Sequence, residues 1–139
     1  MRARMSKLNV VVLYDRWEEP EEAGAASTDK SPLTRTLDFR EGGHETAAGE
    51  VPGEWSSRFE ADYHVIEPDA QIVYSYVMYH DDVRLSVSMT TIELDAVDDG
   101  AATRVVFTEQ GAYFEDGDAA NASREEGTIG LLKQLEESL

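Results

Sequence analysis

The amino-acid sequence predicts an α+β domain in which a curved antiparallel β-sheet wraps around a long C-terminal α-helix, with an apolar cavity between them. Three observations predict it. Between Thr34 and Gln110, six segments alternate apolar and polar residues with the two-residue period of strands, separated by turn chemistry such as Gly42-Gly43, Pro52-Gly53 and Asp98-Asp99-Gly100. The end of the chain then switches to helical spacing, with Ile129, Leu132, Leu135 and Leu139 in one apolar stripe flanked by Leu131. Finally, 139 residues of which 41% are hydrophobic can bury a core of single-domain size.

The elements follow in order. Leu8–Tyr14 is apolar and β-branched, the signature of a buried strand. Glu18-Glu19-Pro20-Glu21-Glu22 and the small polar residues after it form an acidic loop, so residues 1–33 are an atypical front to the sheet and helix of 34–139. Thr34–Arg40 alternates Leu37 and Phe39 with polar neighbours, and Gly42-Gly43 turns the chain into His44–Glu50. Trp55–Ile66 places Phe59, Ala61, Tyr63 and Val65 on one face, and Gln71–Tyr79 does the same with Ile72, Tyr74, Tyr76 and Met78.

In Val83–Leu94, the residues Val83, Leu85, Val87 and Met89 read as the inward set, with Arg84, Ser86 and Ser88 facing away. Ile92 and Leu94 continue the apolar set one residue out of phase, which predicts a bulge near Thr90-Thr91. Thr103–Gln110 closes the sheet with Val105, Phe107 and, in phase with them, Glu109. Ser123-Arg124-Glu125-Glu126 has capping-box spacing, in which a serine hydroxyl and a glutamate satisfy the first backbone donors, and so predicts a helix start at Ser123. Asp116-Gly117-Asp118 and Asn121-Ala122 read as turn and loop before it.

Composition excludes several classes. Twelve Lys+Arg against 29 Asp+Glu leave a formal charge of −17 with no basic cluster, so nucleic acid and anionic membrane surfaces are repelled. No cysteine is present, which excludes disulfides and thiolate chemistry. The longest apolar run, Val10–Leu13, is far too short to cross a bilayer, and the expected location is the cytoplasm. The histidines His44, His64 and His80 lie apart, and Asp95–Asp99 and Asp116–Asp118 lack calcium-loop spacing, so neither metal nor cofactor is expected. No nucleophile elbow or phosphate-cradling glycine loop occurs, and no catalytic residue is assigned.

Two features admit more than one role. Tyr63, Tyr74 and Tyr76 are either ordinary core or a pocket wall whose hydroxyls orient a ligand. Glu109 points inward near a strand end, where a carboxylate needs solvent, an arginine or a ligand as partner.

Four stretches then carry a resemblance: Leu37–Gly43 (LDFREGG), Ile66–Tyr76 (IEPDAQIVYSY), Thr108–Tyr113 (TEQGAY) and Ser123–Gly127 (SREEG). In that order they resemble the SRPBCC (START-like) superfamily, in the branch similar to activators of the 90-kDa heat-shock protein ATPase. The resemblance covers residues 34–139 and implies a helix-grip fold holding hydrophobic ligands between sheet and helix, without a shared catalytic motif. Two departures stand out: the helical length usual after the first strand is missing before Thr34, and Thr128 stands where relatives often place an aromatic.

The resulting expectation is a domain that binds a hydrophobic small molecule. Tyr63, Tyr74, Tyr76, Leu85, Val87, Met89, Phe107 and Glu109 would line the cavity, and Ile129, Leu132 and Leu135 would close it. The alternatives are a co-chaperone-like module with a chaperone as partner, and a cyclase- or hydrolase-type enzyme using Glu109. A homodimer is a further expectation, since a second copy would cover the shortened front.

Overall fold

The structure is a computed structural model that describes residues 4–14, 33–114 and 117–138, with residues 4–14, 33, 117–121 and 138 described as backbone. The acidic loop expected between the first two strands lies outside the described residues, as does Leu139. The strands are β1 (Arg4–Tyr14), β2 (Leu33–Leu37), β3 (His44–Val51), β4 (Trp55–Glu67), β5 (Gln71–His80), β6 (Val83–Val97) and β7 (Ala102–Tyr113), followed by helix α1 (Gly117–Ser138). They form one curved antiparallel sheet in the order β1-β7-β6-β5-β4-β3-β2, and the helix packs against β1 and β7.

β2 to β7 run as a meander, as the alternating segments require. The first strand instead crosses to the far edge and pairs with the last, Arg4 opposite Tyr113 and Tyr14 opposite Thr103. The hairpin turns are built on acidic residues in the left-handed region: Asp81 and Asp82 join β5 to β6 with φ of 47° and 60°, and Asp98 and Asp99 begin the turn after β6 with φ of 52° and 53°. Aspartate tolerates that region better than most side chains, because its short carboxylate bonds to nearby backbone. Asp81 does so, accepting from the Ser56 amide at 2.7 Å.

Three expectations are corrected. The sheet has no register shift at Thr90-Thr91, which pair without interruption with Tyr74 and Val73 on one side and with Glu109 and Thr108 on the other. The bulges lie at His64, where pairing steps from Tyr63–Tyr74 to Val65–Val73, and at Leu85, where it steps from Met78–Ser86 to Tyr79–Arg84. The first moves Val65 to the outer face and brings Ile66, opposite Ile72, back to the inner one.

The second correction concerns the faces of β6. Ser86, Ser88 and Thr90 are the buried inward residues, whereas Val87 and Met89 are 39% and 49% exposed on the other side, and Val83, opposite His80 beyond the bulge at Leu85, is 48% exposed at the start of the strand. An apolar pattern marks a face without saying which side of a sheet it covers, and here the inner side needs hydroxyls, for reasons given below. The third concerns the helix, which starts at Gly117, so Ser123 lies inside it and does not cap it. Ala119, Ala120 and Ala122, strong helix formers, carry the helix back past the capping-box signature.

Candidate functional site

The inner face of the sheet is polar at its centre, and the cause is one buried carboxylate. Register places Tyr76 beside Ser88, Thr90 beside Glu109, and Ser86 beside Tyr113, all on the inner face. Glu109 is only 4% exposed. Tyr76 donates its hydroxyl to Glu109 Oε1 at 2.8 Å, Tyr113 donates to the same oxygen at 3.4 Å, and Thr90 donates to Oε2 at 3.5 Å. A carboxylate removed from water needs this many donors and an opposite charge.

The charge comes from the helix. Arg124 lies 3.8 Å from Glu109 Oε1, donates to the Tyr76 hydroxyl, and donates to Ser86 Oγ at 3.1 Å. Its guanidinium also sits 5.4 Å and 5.6 Å from the ring centres of Tyr76 and Tyr113, within cation–π range. Gly111 makes the cluster possible, since a Cβ there would lie 2.7 Å from Ser88 Oγ and 3.0 Å from the Tyr113 ring. Small residues on β6 and β7 therefore leave room for two tyrosines and an arginine.

A second station of the same design sits towards the other edge. Glu45, also buried, accepts from the Tyr63 hydroxyl at 2.5 Å and from Arg35 Nε at 2.7 Å. Tyr74 lies between the two stations, with ring centres 5.7 Å from Tyr63 and 6.0 Å from Tyr76. Phe39 extends the aromatic row at 5.2 Å from Tyr63, and Phe59 stacks on Tyr76 at 4.9 Å.

Burial disfavours the phenolate form of these tyrosines. Tyr74 is pushed up to about 12, chiefly by burial, and Glu109 and Glu45 add to the shift by repelling a phenolate. Tyr63 and Tyr76 rise further, again mainly through burial, with added effect from Glu45 and Glu109 respectively. A folded-state value above the unfolded one of about 10 means stability that is complete below pH 10 and lost as pH rises through the folded value. For Tyr74 alone the loss amounts to about 3 kcal/mol between pH 10 and 12. A titration from pH 9 to 12 is expected to show phenolate absorbance appearing together with loss of the circular-dichroism signal. The Tyr74→Phe variant should unfold at higher pH. Ionisation of these phenols within an intact fold would contradict the assignment.

Beside the Glu109 cluster, a half-open cleft of about 570 Å³ separates the helix from the sheet. Met78, Leu85 and Tyr113 line it from the sheet, and Ser123, Arg124, Gly127, Thr128 and Leu131 from the helix. The bulge at Leu85 is what turns that side chain into the cleft.

Placement of the expected residues is therefore mixed. Tyr63, Tyr74, Tyr76, Phe107 and Glu109 share the inner face, and Leu85 reaches the cleft. Val87 and Met89 lie on the outer face and line nothing above the inner one. Ile129, Leu132 and Leu135 are half-buried along the helix, but the wall of the cleft is made by the helix face that carries Arg124, Thr128 and Leu131. Arg124, Glu45, Arg35 and the hydroxyls of β6 were not singled out from sequence. The available signal was an inward carboxylate at Glu109, which calls for a cation.

The comparisons with known proteins agree with this architecture. Residues 11–139 match the family described as Activator of Hsp90 ATPase homolog 1-like protein. The chain belongs to that family. A crystal structure of a Rhizobium loti protein shares 31% identity over the full length of both chains with a TM-score of 0.82. An uncharacterized Rhizobium leguminosarum protein shares 31% identity over 98% of this chain and 95% of its own, with a TM-score of 0.84. An Arthrobacter aurescens protein at 18% identity, covering 95% of this chain and 84% of its own with a TM-score of 0.65, shows the same fold. No curated protein matches. The family assignment makes this an SRPBCC-like helix-grip domain. Among the described residues, no helix is long and apolar enough to cross a membrane.

Proposed function

We propose that this domain binds a hydrophobic small molecule in the cleft between α1 and the sheet. The observation that carries the reading is the cleft itself: about 570 Å³, the size of a small-ligand site, with Met78, Leu85 and Leu131 as apolar walls and Arg124 at its polar end. Thr128, which the resemblance places where relatives often have an aromatic, leaves that volume open. Glu109 is not among the lining residues and is surrounded by its own donors, which favours binding over acid–base catalysis.

Native mass spectrometry of freshly purified protein, beside a denatured control, is expected to show a noncovalent adduct that disappears on denaturation. The Thr128→Phe variant, which fills the cleft, should lose the adduct and keep its circular dichroism. An adduct undiminished in that variant would place binding elsewhere. A co-chaperone-like role draws on a different observation, the exposed Val87 and Met89 of the outer face. Binding of a purified chaperone that Met89→Lys weakens and Thr128→Phe leaves intact would favour it.

A further inference from the structure

We infer that the cleft selects an uncharged ligand with a hydrogen-bonding group, such as a hydroxyl or carbonyl, and discriminates against carboxylates. The inference rests on the binding reading above and adds to it the chemical class of the ligand.

Among the described residues Arg124 is the cation at the cleft, and in isolation it would call for an anionic head group. It is not isolated. Glu109 stands 3.8 Å behind it, so the pair presents no net charge to a ligand. Two of its nitrogens are also engaged, one by the Tyr76 hydroxyl and one by Ser86 Oγ at 3.1 Å. The second inner-face carboxylate, Glu45, is likewise matched by its own Arg35 at 2.7 Å and leaves no cation over. A carboxylate entering the cleft would surrender its hydration, meet a guanidinium already paired, and approach Glu109 as a like charge. The formal charge of −17 opposes its arrival as well.

A neutral polar group meets none of these penalties. The guanidinium side chain keeps 20% of its surface exposed, and Ser123 adds a hydroxyl at the same end of the cleft. These groups donate to a carbonyl or hydroxyl oxygen without any charge having to be desolvated. The apolar walls then take the body of the molecule.

The test compares two probes of nearly equal shape, 2-naphthol and 2-naphthoate, titrated at pH 7 into the ¹⁵N-labelled full-length chain. Amide shifts of Ser123, Arg124, Gly127 and Thr128 report occupancy. We expect 2-naphthol to bind at least tenfold more tightly than 2-naphthoate. The Glu109→Gln variant uncovers the charge of Arg124 and should narrow that ratio by severalfold, mainly by strengthening naphthoate binding. Naphthoate binding as tightly as naphthol in the native chain would overturn the ligand class while leaving the binding reading in place. A ratio unmoved in a folded Glu109→Gln variant would overturn the assigned cause. If neither probe shifts these amides, the binding reading and this inference fall together.

Discussion

Replacing Gly43 with alanine is expected to destabilise the domain by about 3–5 kcal/mol, a large share of the stability of an ordinary domain. The reason is the path of the backbone before β3. A Cβ at Gly43 would lie 2.0 Å from the Asp38 carbonyl oxygen and 2.9 Å from that of Arg40, and both are main-chain atoms that no rotamer change can move. The same stretch is bonded to its neighbours: Gly43 donates to Arg40 at 2.8 Å, Tyr63 donates to Gly43 at 3.0 Å, and Gly42 donates to Tyr63 at 2.8 Å. Relief of the clash would therefore pull on the backbone of Tyr63, whose hydroxyl serves Glu45. Gly42→Ala is the control. Its φ of 74° penalises alanine, but the nearest atom to a Cβ is the end of the Arg40 side chain at 3.9 Å, so a cost of about 1 kcal/mol is expected. Urea denaturation of both variants measures the difference, and equal costs would show that crowding at Gly43 is not what requires glycine.

This glycine pair illustrates what could be read from the sequence. Gly42-Gly43 was legible as a turn, because glycine beside glycine after an alternating segment has few other uses. The close approach to Asp38 was not, since it depends on how the turn folds back in three dimensions. The strand order of β2 to β7 was legible for the same reason: turn chemistry between short alternating segments makes sequential neighbours pair. The pairing of β1 with β7 joins the two ends of the sheet, and no local pattern encodes it.

The faces of β6 mark the limit more sharply. Period-two reasoning separated Val87 and Met89 from Ser86 and Ser88 correctly, then sent the apolar set inward. It failed because the centre of this fold is built around a carboxylate. Glu109 and the tyrosines that serve it occupy the space that a hydrophobic β6 would have filled. The inward position of Glu109 was legible from phase alone, and its need for a partner followed. The partner itself, Arg124, was read as part of a helix cap. Only the start of the helix at Gly117 sets Arg124 inside it, against Tyr76 and Tyr113.

That partnership carries the second large effect. Arg124→Leu is expected to cost about 3–5 kcal/mol, because removing the cation leaves Glu109 buried at 4% exposure without its opposite charge. The loss extends beyond the pair, since Tyr76 and Ser86 each lose a donor. Glu109→Gln should be milder, about 1–2 kcal/mol: the amide keeps the shape and can still accept from Tyr76 or Thr90, while Arg124, itself nearer the surface, retains two partners. The double variant Arg124→Leu, Glu109→Gln removes both charges together. Its cost should fall below that of Arg124→Leu alone, giving a coupling energy of at least about 1.5 kcal/mol in a double-mutant cycle followed by urea denaturation. Additive costs would mean that the two groups do not interact across 3.8 Å and that the donors around Glu109 suffice by themselves. A strong coupling would mean that the helix is fastened to the sheet through this ion pair. The cleft beside it would then owe its width to the same contact, which links the stability of the fold to the space in which a ligand would sit.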